Sequence, residues 1–440
     1  MRLTALTIAL SAATTVQAET PCPPLEVFRP SGGPAAYTVV GRSPRVPPPM
    51  RHLPVPAGAL ASVEIALARS GCFGNCPSYT VAVRGDGTGV YEGGRFVLVY
   101  GKHKFQVEPA QVACLLQLFR DADFWSLSDS YSAQITDNPH YQVRLSIGGR
   151  TKMVSDYAGE MVGMPASVTA LEDAVDALGA RRWVLGDAST QAALRGEGFD
   201  FKSFAGAKLL AMAVISAPDE MVFGLLAEGT PIDGHAEGFS AGPDGLTPLQ
   251  GAAREGRARV AATLIKAGAL ASASPDAKAA LLRIAVESGD PATVREILAA
   301  GAQINQQSNQ DHPPITLVWS SRYTDSRFSN RDVAGVIRVL LSAGADPRAH
   351  DENLRTALHF ADGADGITLL LKAGGELEAH DGLGRTPLLS AQSDEAAVAL
   401  IQAGANVRAK ADNGETFEVI AKRQKFTNAL ALLRAQSGSR

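Results

Sequence analysis

The stretch "DGLTPLQGAAREGRARVAATLIKAGA", residues 244–269, decides the fold of most of the chain. Thr247-Pro248-Leu249 opens it, and proline is preset for the first turn of a helix. Small residues lead to a break at Gly256, and a second, apolar helix follows through Val260 and Leu264. Gly268-Ala269 stops that helix, because glycine takes the left-handed backbone a helix end requires. Two of these landmarks recur. The leucine slot returns as Leu249, Leu282, Ile315, Leu358, Leu388 and, degenerate, Glu418, in steps of 33, 33, 43, 30 and 30 residues. The stop returns as Gly268-Ala269, Gly301-Ala302, Gly344-Ala345, Gly374-Gly375 and Gly404-Ala405. Each unit has apolar faces it cannot bury alone, so neighbours are expected to stack.

These motifs resemble the ankyrin repeat family over about residues 205–435, with "RTALHFA" (355–361) and "GRTPLLSA" (384–391) nearest its pattern. A poorly matching leading unit includes "AKLLAMAV" (207–214). The resemblance implies an all-α ankyrin-repeat solenoid over 190–440 that offers a concave face to a protein partner. The 30-residue units are about one helical turn short. The fourth carries ten extra residues, roughly "RYTDSRFSNR" (322–331).

Before the repeats, residues 59–186 alternate strand and helix signals. "ASVEIALAR" (61–69), "SYTVAVR" (78–84), "TGVYEG" (88–93) and "RFVLVY" (95–100) have a two-residue period with glycine-rich turns between them. Glu108 to Phe124 switches to helical spacing, with Val112, Leu115, Leu116, Leu118 and Phe119 as its apolar face. Strands resume at "YQVRLSIGG" and "TKMVSDYAG", and a second helix from Pro165 carries Val168, Leu171, Val175 and Leu178. Antiparallel strands with two helices make a small α+β domain. The expected chain is therefore multidomain, with this domain followed by the helical solenoid.

The first 18 residues read as a signal peptide: basic Arg2, an apolar run from Leu3 to Val16, and a small-residue cleavage site at Ala18. Residues 19–58 hold 11 of the 25 prolines and read as a linker, since proline cannot donate to helix or sheet. Export to the periplasm or beyond follows, with no membrane insertion after cleavage. Lys and Arg total 41 against 45 Asp and Glu, a balance that gives no footprint for nucleic acid. A monomer without cofactor is expected.

All four cysteines (Cys22, Cys72, Cys76, Cys114) follow the cleavage site, where disulfides persist. "GCFGNCPSYT" (71–80) sets two of them four apart. A closed zinc site wants four ligands, and this loop offers two. A thioredoxin-type pair has two intervening residues before a helix, whereas here there are three, then Pro77 and a strand. An intraloop Cys72–Cys76 disulfide is the expectation; free or redox-active thiols and a metal clip remain alternatives. Whether Cys22 and Cys114 pair is left open, and Cys114 reads as a residue of the apolar helix.

"CFGNCPSYTV" with a following "GVY", "TDNP" (136–139) and "SDYAG" (155–159) is similar to a family of bacterial domains of unknown function, often exported. Its signature is Cys-x-x-x-Cys-Pro-x-Tyr, and the resemblance spans about residues 60–183. The family-like positions are Cys72, Gly74, Cys76, Pro77, Tyr79, Asp137 and Tyr157, expected to be structural. Asp137 and Tyr157 are the candidates for lining a pocket if there is one.

Other motifs weigh less. "GFSAG" (238–242) matches a nucleophile elbow in letters, but a polar linker is the wrong context for that chemistry. His350 and His380 sit one repeat apart, and two imidazoles make a poor metal site. His359 occupies a turn-bracing slot. The inserted Arg322, Tyr323, Arg327 and Phe328 are types enriched in binding hot spots. Asp244, Leu246, Arg355, Arg385 and Glu415 are the candidate partner contacts on the fingers. The reading is a non-enzymatic interaction scaffold of the bacterial cell envelope. The alternative is a ligand-binding or redox-sensing α+β domain with the repeats as spacer or dock.

Overall fold

Alternation in the first strand turns Ile65, Leu67 and Arg69 inward together, because successive side chains point to opposite faces. That strand, β1 (Glu64–Arg69), lies centrally in a seven-stranded sheet. With β2 (Tyr79–Arg84), β3 (Thr88–Gly93), β4 (Gly101–Gln106), β5 (Ser130–Ser132), β6 (His140–Ile147) and β7 (Arg150–Tyr157), the order is β4-β3-β2-β1-β6-β7-β5. The computed structural model describes residues 52–74, 76–236, 245–305, 312–319 and 331–437. By contact the chain divides into two compact units. One runs to Phe96 and resumes over Tyr100–Arg181; the other joins Val97–Val99 to Arg182–Arg440.

In the first unit, α2 (Ala166–Val175) packs against β1 and β6, α1 (Pro109–Asp121) packs against α2, and a π-helical turn, Asp176–Ala180, continues α2. Val112, Leu115, Leu116 and Phe119 are buried on α1. Three expectations need correction. Leu118 is exposed, because it falls outside that stripe. The pairing is not wholly antiparallel, since the short β5 runs parallel to β7. "RFVLVY" is not a strand of this sheet. Phe96 takes a left-handed backbone (φ 56°), and Val97–Val99 turns to the second unit, where Leu98 and Val99 N–H donate to Val184 and Trp183 carbonyls. The fourth strand starts later, at Gly101.

The second unit is helical: α3 (Arg181–Val184), α4 (Ala188–Gly196), α5 (Phe204–Ser216), α6 (Asp219–Ala227), α7 (Pro248–Arg254), α8 (Ala258–Lys266), α9 (Pro275–Ser288), α10 (Pro291–Ala299), α11 (Val333–Ser342), α12 (Ala364–Lys372), α13 (Asp394–Gln402), α14 (Phe417–Gln424) and α15 (Thr427–Ser437). Helices near one another in the chain pack together: α7 meets α8 and α9, α10 meets α8 and α11, and α12 meets α11 and α13.

One stop geometry recurs. Gly229, Gly268, Gly301, Gly344, Gly374 and Gly404 all have φ between 77° and 98°. After each, the next N–H bonds a carbonyl five residues back, as in Ala269 to Leu264, Ala345 to Leu340 and Ala405 to Leu400. That is the Schellman closure of a helix C-terminus. The leucine slots Leu249, Leu282, Ile315, Leu358 and Leu388 are all buried. In the last unit Glu418 is exposed and its neighbour Phe417 turns inward instead. From Ile315 onward three successive units have a 3-10 turn in place of the first helix, Pro314–Leu317, Ala357–Phe360 and Leu388–Ser390, whether the step that follows is 43 or 30 residues. No helix among the described residues is long and apolar enough to cross a membrane.

Candidate functional sites

Two places bring chemistry-bearing residues together. The first is a row of fingers in the helical unit. Asp351 Oδ1 accepts from the Asn353 and Arg355 N–H groups, both at 2.9 Å, while its Oδ2 pairs with the Arg355 guanidinium at 2.7 Å. Asp381 repeats this with Leu383, Arg385 and a 2.7 Å ion pair. Burial alone would raise these carboxyls, but the Arg355 and Arg385 hydrogen bonds win and hold each below the usual range. Fingers are stitched together by Gly382 N–H to the Asn353 carbonyl (2.8 Å) and Asp412 N–H to the Leu383 carbonyl (3.0 Å). Buried His359 accepts from Thr356 N–H through Nδ1 and donates through Nε2 to the Arg385 carbonyl, bracing one finger against the next. Burial pushes its imidazole toward the neutral form this bonding uses.

The clamps leave two leucines outside. Leu354 is 49% exposed and Leu383 60%. Leu354 also holds φ at 58°, where the next finger has Gly384 at 68°. A leucine kept in left-handed backbone carries strain of about 1–2 kcal/mol.

The expected contacts fall differently. Arg355 and Arg385 are struts within their fingers, with Arg355 also 4.5 Å over the Phe360 ring. Leu246 is 1% exposed: it bridges to Ala236 and its side chain belongs to the core, so it cannot meet a partner. Glu415 pairs with Arg423 at 2.5 Å. Asp244, Arg322, Tyr323, Arg327 and Phe328 lie outside the described residues, as do "GFSAG", Cys22, residues 1–18 and the linker before residue 52. His350 and His380 are exposed, and no group of three metal-ligating side chains occurs among the described residues.

The second place is the end of the sheet. Cys72 and Cys76 are joined as a disulfide, and the closed loop links β1 to β2. Cys114 is half-buried and also disulfide-bonded, so it is not a free core thiol. Asp137, itself left-handed (φ 67°), accepts from Phe73 N–H, and Tyr157 Oη accepts from Asn138 N–H at 3.4 Å. Both candidate pocket residues thus tie down loops. Phe73 stands at the loop tip, 94% exposed.

Beneath that loop the register aligns Tyr79, Arg69, Tyr141, Asp156 and Tyr131 across five strands on the core-facing side. Glu172 and Asp176 reach this row from α2 and the π-helical turn, and Tyr79 Oη donates to Asp176 Oδ1 at 2.7 Å. Burial dominates the ionisation here. It raises Glu172 to about 9, helped by Asp156 and Asp176. It raises Asp176 to about 7 against the pull of Tyr79 and Arg69. It pushes Tyr141 up to about 12 and lifts Asp156 as well. Of this row the sequence singles out only Tyr79, although a signal for Arg69, Glu172 and Asp176 is there. Arg69 continues the inward alternation of Ile65 and Leu67, and Glu172 and Asp176 continue the helical stripe of Val168.

Residues 63–179 match the family described as "Domain of unknown function (DUF6438)". No curated protein matches the chain.

Proposed function

We infer that this chain is an exported, non-enzymatic interaction scaffold whose helical unit is an ankyrin-type solenoid and whose fingers grip a protein partner in the cell envelope. The observation that carries it is the pair of clamped fingers 30 residues apart. Each spends a buried aspartate and an arginine on holding its turn, and each leaves a leucine in solvent. Exposed leucines on rigid turns fit the anchor of a binding surface, since rigidity lowers the ordering cost of association. The strain kept at Leu354 supports the same reading, because glycine would fold there more easily. The contact residues favoured by this geometry are Leu354 and Leu383, with Arg355, Arg385 and Glu415 as supports. The 33-, 43- and 30-residue spacing and the recurring glycine stops support the solenoid. The leader-like first 18 residues and the disulfide at Cys72 support export.

The test is affinity capture from envelope extract with the full chain as bait. A specific partner should be held by the wild type and lost by the Leu354→Ser/Leu383→Ser variant at unchanged thermal stability. A partner held equally by both would remove the fingers from the account.

A further inference from the structure

Arg69 is 3% exposed, yet among the described residues its Nε and Nη1 groups meet no acceptor, and the Oε1 of Glu172, 4% exposed, also has no partner there. Buried polar groups are nearly always hydrogen-bonded, and a buried guanidinium most of all. The guanidinium lies 4.9 Å over the Tyr141 ring, and its charge acts on Tyr79, Tyr141, Glu172 and Asp176. Tyr141 is half-buried and gives the cluster an edge at the surface. The groups facing this place are Tyr79 from β2, Tyr141 from β6, Asp156 from β7, Glu172 and Asp173 from α2, and Asp176 from the π-helical turn. Tyr91 on β3 feels the charge of Asp176 and is itself held neutral by burial.

We propose that Arg69 and Glu172 form a buried site for the carboxylate of a small organic acid, with Arg69 donating to the carboxylate oxygens and the Glu172 carboxyl facing them. Charge selects the ligand class. One fixed positive charge is matched by one negative charge, whereas a phosphate dianion would bring surplus charge beside Asp156, Asp173 and Asp176. A planar acceptor also suits a guanidinium. The bound anion would make Glu172 and Asp176 hold their protons more firmly, so binding takes up a proton. Affinity therefore rises as pH falls through the range where Asp176 titrates, by at most about tenfold per pH unit for one proton.

Sodium acetate is the probe, titrated into the full chain with sodium chloride at equal ionic strength as the control, and the Arg69 Nε–H NMR signal is the readout. A saturable shift with acetate alone, tighter at pH 6 than at pH 8, is the expected result. Glu172→Gln, which keeps the shape and a donor, should still bind and keep the pH dependence that Asp176 sets between pH 6 and pH 8. Arg69→Met should abolish the effect; if that variant fails to fold, the wild-type and Glu172→Gln titrations decide alone. An Arg69 signal that acetate leaves unmoved, or that chloride moves equally, overturns the proposal, as does binding indifferent to pH in the wild type.

Discussion

Asp351 and Arg355 show how a residue chosen for contact can turn out to be a strut. The Asp351 side chain is fully buried and satisfies two backbone N–H groups as well as the guanidinium. Removing one partner of such a pair strands the other, so Asp351→Ala should cost about 2–4 kcal/mol, read as a lower denaturant midpoint. Its depressed ionisation gives the sign with pH: the stabilisation is present above the unfolded-state value near 3.8 and is lost as pH falls through the lower folded-state value. Glu172 and Asp176 run the other way. Their folded-state values are raised, so the native state holds more protons than the unfolded chain. Their contribution is most favourable below about pH 4 and falls as pH rises, through about 7 for Asp176 and about 9 for Glu172. Side-chain carboxyl 13C shifts of the full chain should show those two late titrations. Both groups titrating near 4 would mean the row is open to water.

At the scale of elements, the closed loop and the finger turn are the parts a single change would break. The Cys72–Cys76 bridge closes a short loop, and Cys72→Ser with Cys76→Ser should cost about 2 kcal/mol on the chain-entropy estimate. Alkylation without reductant should label neither cysteine. At Gly384 (φ 68°) a Cβ would lie 2.2 Å from Asp412 Oδ1, so Gly384→Ala should loosen the finger, seen as faster amide exchange at Leu383 and Asp412. Most elements were legible in the sequence because their periods are local. The two-residue alternation gave β1 and β2, and Val112, Leu115 and Phe119 gave α1. "RFVLVY" misled because its alternation is apolar enough for a strand, while its hydrogen bonds go to Trp183 and Val184, far along the chain. β5 has three residues, too few for any period. Arg69, Glu172 and Asp176 were hidden differently: each occupies a position whose period says core, and only the cross-strand register reveals that they meet.

For the whole molecule the informative signal was repetition. Glycine stops recurring every 30 to 43 residues announced the helical unit, and the same glycines carry the left-handed closure. Which side chains stay exposed on the turns is not legible in the repeat, because whether Arg355 points to solvent or to Asp351 depends on a turn whose shape the repeat period does not encode. An open groove of about 770 Å³ between α10 and α11, lined by Arg295, Leu298, Arg338 and Val339, supplies a reference surface away from the fingers. The deciding measurement is site-specific photocrosslinking in intact cells, with the reactive residue placed at Leu383 and, as control, at Arg295. The account predicts one discrete adduct from position 383 and none from position 295. An adduct from position 295 alone, or from neither, would contradict a scaffold that works through its fingers.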